Sequence, residues 1–101
     1  ISGDGAQQLA SAVLAKPTLE NFSGIPLKEL RADSLTTLDL FDKGLGVPEA
    51  MVLADLLRSV SASRRLDVSR NCLNRGGNGV QLLWDAVRER EGFLLIDDDN
   101  D

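Results

Sequence analysis

The sequence repeats itself at an interval of 28 residues, and a chain with such a period folds unit against unit. Leucines stand at 35, 38, 40 and 45, and Leu66, Val68, Asn71 and Leu73 follow 28 residues after 38, 40, 43 and 45. The two copies depart from each other at two places: Lys43 stands where the second has Asn71, and Ser63 stands where the first has Leu35. A further step of 28 lands on Leu94 and Ile96, inside the run Phe93-Leu94-Leu95-Ile96. The period predicts neighbouring parallel strands at 37–40, 65–68 and 93–96.

Side chains alternate along a strand, so Leu38 and Leu40 are expected to point inward while Thr37, Asp39 and Phe41 point outward. In the second copy Leu66 and Val68 point inward, with Arg65, Asp67 and Ser69 outward. In the third, inward Leu94 and Ile96 leave Phe93 and Leu95 facing solvent. The Asn serves where the chain turns out of the strand, because its amide bonds exposed backbone groups. A helix follows each strand. Ala50, Leu53, Ala54 and Leu57 recur at helical spacing, with Pro48 in the first turn, and Val80, Leu83, Trp84 and Val87 do the same, predicting helices near 48–60 and 79–89. The helix offset is 30 rather than 28, so the 74–78 loop holds two extra residues. Ala6, Leu9, Ala10 and Val13 form a similar face at the start, in a helix over 3–15 that lacks its own strand.

One stretch breaks the period. Leu19 and Phe22 lie 16 residues before Leu35 and Leu38, too close for a full helix between, so 24–30 reads as a loop or single helical turn. The organisation is thus a single domain over 1–101: a helix, a truncated repeat at 18–33, repeats at 34–61 and 62–90, and a terminal strand with an acidic tail at 91–101. The chain opens on Ile1 in mid-pattern, which suggests a fragment or processed part of a longer protein, with any upstream signal lost.

Composition narrows the function. A net charge of −5 disfavours phosphate backbones, so no nucleic-acid partner is expected. The single cysteine excludes an internal disulfide, a CxxC pair and a multi-cysteine zinc site, and the absence of histidine excludes Ser-His, Cys-His and histidine-metal chemistry. No apolar run approaches the roughly 20 residues that span a bilayer. Aromatic residues make up 4% of the chain, leaving the core to Leu, Val and Ala.

The motifs over 35–57 and 66–87 follow the pattern LxxLxLxxNxL. The chain resembles the ribonuclease-inhibitor-like leucine-rich-repeat proteins, in which strand and helix alternate with a period of 28 or 29 residues. The phrasing over 23–40 looks like repeat proteins of unassigned role in unicellular algae. The resemblance implies an α/β fold, a short leucine-rich-repeat solenoid of parallel strands alternating with helices, with one truncated repeat near the N-terminal side. It also implies protein partners held on the strand face.

Several residues invite a chemical reading beside a structural one. Asp39 and Asp67 occupy equivalent positions and read as a solvated ladder rather than an acid–base pair. The run 75–79 has glycines that cradle an anion or simply let the chain turn, and it lacks the P-loop sequence. The tail 97–101 reads as a solvated acidic terminus rather than a calcium loop. Cys72 reads as core filling, Trp84 as packing against the preceding repeat, and Arg64, Arg65 and Arg70 as a solvated edge or a docking patch for an acidic surface. The leading expectation is a non-catalytic protein-interaction module without cofactor or metal. Its partner-binding residues are Thr37, Asp39, Phe41, Arg65, Asp67, Ser69, Phe93 and Leu95, with Phe41 as the anchor. The alternative is a structural accessory subunit embedded in a large assembly at an organelle membrane. An intracellular location, cytoplasmic or organellar, suits both.

Overall fold

The computed structural model describes residues 3–16, 18–75 and 77–100. They form a small α/β domain whose elements run α1 (Gly3–Leu14), α2 (Leu27–Arg31), β1 (Thr37–Asp39), α3 (Val47–Ser59), β2 (Arg65–Asp67), α4 (Gly79–Val87) and β3 (Leu94–Ile96). The three strands make one parallel sheet in the order β1-β2-β3. The truncated region supplies α2, a single short helix, preceded by an antiparallel bridge between Phe22 and Ile25.

The inward row of the sheet is Leu38, Leu66 and Leu95, which are 2%, 0% and 6% exposed. The first two follow the sequence period. The third corrects it, because Leu66 pairs with Leu95 and Arg65 with Leu94, an offset of 29 rather than 28. A one-residue slip turns every side chain to the opposite face. Leu95 is therefore inside and Leu94 outside, the reverse of the expectation. Phe93 lies before the strand, half-buried against the core, with the Arg90 guanidinium 5.0 Å from its ring centre.

The slip originates in the connection through α4. Leu53 and Leu57 of α3 align with Leu83 and Val87 of α4, all buried, at an offset of 30. Two residues are gained before the helix, and the return to the sheet gives back one. At the entrance to α4, Gly79 donates its N–H to the Leu73 carbonyl at 2.8 Å. A Cβ there would stand 2.1 Å from that carbonyl oxygen, so only glycine permits the approach.

Helix α1 buries Ala10 and Val13, but Leu9 is 39% exposed, contrary to its place on the expected inward face, and the side chain of Ala6 lies outside the described residues. Two arginines tie helix ends to the turns beyond them. Arg31 donates to the carbonyls of Val13, Lys16 and Leu19, and Arg90 to those of Leu57, Ser61 and Ser63. The Val13 and Leu57 carbonyls lie in the last turns of α1 and α3, where a cation is favoured by the helix dipole. Ser63, polar where an apolar residue was expected, is 1% exposed, and its hydroxyl donates to the Leu35 carbonyl at 2.8 Å.

Candidate functional site: the open face of the sheet

All-parallel sheets are ordinarily covered on both faces. Here one face is covered and the other is not. The outward rows, read across the register, are Thr37, Arg65 and Leu94, then Asp39, Asp67 and Ile96. Thr37, Asp39 and Arg65 are exposed, Leu94 is 48% exposed, and Asp67 and Ile96 are half-buried. The face grades from polar at β1, through charge at β2, to apolar at β3.

Asp39 and Asp67 are direct neighbours across β1 and β2. Like charges so placed repel. Each carboxylate also has a local duty, because Asp39 Oδ1 accepts the Phe41 N–H at 3.2 Å and Asp67 Oδ1 accepts the Ser69 N–H at 3.0 Å. These bonds turn the chain sharply out of each strand. Phe41, just past β1, is 44% exposed with the Arg70 guanidinium 5.9 Å from its ring centre. An aromatic and an arginine in contact on an exposed surface suit an anchoring role.

Ser69 does not join this face. It is 5% exposed, and its hydroxyl oxygen is buried without a hydrogen-bond partner among the described residues. Alternation holds only within a strand, and β2 ends at Asp67. Beyond it Ser69 is enclosed by chain on both sides: its carbonyl accepts the Asp42 N–H at 2.9 Å, while Arg70 next to it donates its N–H to the Asp98 carbonyl at 2.8 Å. Of the eight residues expected on the face, the structure gathers Thr37, Asp39, Phe41, Arg65 and Asp67. It removes Ser69, Phe93 and Leu95, and Leu94 and Ile96 enter instead.

The turn beyond the strands is organised by Asn71, which is 3% exposed. Its Oδ1 accepts the N–H groups of Lys43 and Leu45, and its Nδ2 donates to the carbonyls of Leu40, Val68 and Ser69. Asn100 repeats part of this one unit on, donating to the Val68 and Asp97 carbonyls at 3.1 and 2.9 Å. The acidic tail is thus docked through residue 100 rather than fully solvated, while Asp101 lies outside the described residues. The signal was present in the sequence, since Asn100 stands 29 residues after Asn71. The residues before Lys43, Asn71 and Asn100, namely Asp42, Arg70 and Asp99, share a left-handed backbone with φ of 52°, 58° and 56°.

The other candidates resolve as structure. In the 75–79 loop, of which Gly76 lies outside the described residues, the N–H groups of Gly77, Gly79 and Val80 all donate within the loop, to Asn74 and Leu73. Cys72 is half-buried and free. Trp84 is 40% exposed instead of packed inside, and its Nε1–H donates to Asp97 Oδ2 at 2.7 Å. A cleft of about 500 Å³ lies where the strands begin, with Arg58, Arg64, Glu89 and Glu91 mixed around its rim and Phe93 in its wall. Among the described residues there is no group of three or more metal-ligating side chains, and no helix is long and apolar enough to cross a membrane. Comparison with protein-family models, curated proteins and solved structures returned no match.

Proposed function

We propose that this chain is a non-catalytic protein-interaction module that holds a protein partner on the open strand face. The observation that carries the reading is the uncovered side of a parallel sheet, where exposed Phe41 and Leu94 flank Arg65 and Asp67. Exposed apolar side chains beside charged ones supply both kinds of contact that a protein interface uses. The finer architecture we propose is a short leucine-rich-repeat solenoid. Its supports are strand offsets of 28 and 29 residues, the buried row Leu38, Leu66 and Leu95, and an Asn71 amide that joins two successive turns.

The test replaces Phe41 and Leu94 with Ser and compares capture of partners from native extract. Binding should weaken by about 2 kcal/mol or more, with the urea midpoint almost unchanged. Undiminished capture by the folded variant would remove the strand face from the reading. A second reading, an accessory subunit embedded in a larger assembly, draws on Leu9, which is 39% exposed on α1 and away from the strand face. An embedded subunit should aggregate or unfold in isolation, whereas an interaction module should stay folded and monomeric.

A further inference from the structure

We infer that Trp84 and Asp97 form a clasp that closes the β3 edge of the sheet against stacking by a second copy of this chain. Two residue equivalences lead to it. Helices α3 and α4 align with Leu53 on Leu83 and Leu57 on Val87, so Trp84 occupies the place held in α3 by Ala54. Strands β2 and β3 align with Leu66 on Leu95, so Asp97 occupies the place that follows β2 as Val68. In the interior, both places are closed to solvent: Ala54 is 2% exposed, in the wall of a groove that α1 and α3 line together with Leu82 of α4, and Val68 is 0% exposed. At the end of the sheet the small Ala becomes Trp and the apolar Val becomes Asp. These two replacements are bonded to each other, Trp84 Nε1–H to Asp97 Oδ2 at 2.7 Å.

The consequence for stacking is steric and electrostatic. The separation of two packed helices is set by the side chains between them, and an alanine permits the close approach that an indole prevents. An isolated indole would swing to another rotamer, but a charge-assisted bond holds this one across the end. The acceptor is itself fixed, because Asn100 donates to the Asp97 carbonyl at 2.9 Å and Arg70 donates its N–H to the Asp98 carbonyl at 2.8 Å. A second copy seated on β3 would also have to strip water from the Asp97 carboxylate, where an interior unit offers a Val. The clasp leaves the strand face free and discourages head-to-tail growth, which for a non-closing contact yields filaments.

The experiment gives the end its interior residues. Sedimentation velocity is run on the wild type and on W84A/D97V over a range of concentrations, with urea unfolding to show that each is folded. The double variant should associate reversibly, with a dissociation constant at least about tenfold below that of the wild type. In parallel, the emission of Trp84, the chain's one tryptophan, is recorded in D97A, where loss of the acceptor should shift it to the red without loss of helix signal. The inference fails if the folded double variant sediments like the wild type or if its aggregates do not dissolve on dilution. If the double variant does not fold, D97A decides. Unshifted emission, or association no greater than wild type, overturns the clasp.

Discussion

Asn71 concentrates more of the fold in one side chain than any leucine does. Its amide, on a side chain 3% exposed, meets five backbone groups on both sides of the turn. Replacing it with Ala should cost about 3 kcal/mol or more, because several buried backbone groups lose their partner at once, and urea unfolding measures the loss directly. Asp33 acts in a similar way at the surface. Its carboxyl is held below the ordinary value of 3.8, first by the Ala62 N–H and then by the Ser61 N–H, with desolvation opposing and the Ser61 hydroxyl and Arg90 assisting. A depressed folded value means that this stabilisation is present at pH above the unfolded value and is lost as pH falls through the folded one. Asp33→Asn should therefore flatten the acid limb of stability as pH falls below the ordinary value of 3.8, read as the change in urea midpoint with pH. An acid limb as steep as that of the wild type would show that the Asp33 bonds contribute nothing. The 28-residue period marked the place of Asn71 in advance. Asp33 carried no such mark, because it lies in the stretch over 18–33 that breaks the period.

At the scale of elements, β3 separates what a pattern can say from what a connection decides. The run 93–96 is apolar throughout, so no alternation within it states which residues face inward. The choice falls to the length of chain through α4, two residues longer before the helix and one shorter after it than the α3 connection. Cysteine placed at 94 and at 95, in a Cys72→Ser background, checks the outcome. A thiol reagent should label position 94 quickly and position 95 only on opening of the structure, since the native residues are 48% and 6% exposed. Faster labelling at 95 than at 94 would return β3 to the 28-residue register. The same reasoning explains Trp84. Helical spacing assigned it to the apolar stripe of α4, but it lies on the flank turned toward the sheet end, where its N–H found Asp97.

For the molecule as a whole, the sheet is narrow and each strand has three residues, so the core depends on a few central side chains. Leu66 lies in the middle strand at 0% exposure. Leu66→Ala should cost about 2 to 5 kcal/mol, a large part of the roughly 5–15 kcal/mol that holds a small domain together. Thr37→Ala, on the open face, should cost far less. Far-UV dichroism and Trp84 fluorescence should follow one coincident unfolding transition in both, and equal losses at the two sites would mean that the register of the sheet is wrong. The sequence by itself determined the parallel order of the strands, the inward rows of β1 and β2 and the helices between them, because a buried face imprints a local period on the residues that form it. Only the tertiary structure decided the register of β3, the burial of Ser69 and the pairing of Trp84 with Asp97. Each of these depends on the net length of a connection or on a partner from another unit, and side-chain parity changes with a single residue of that length.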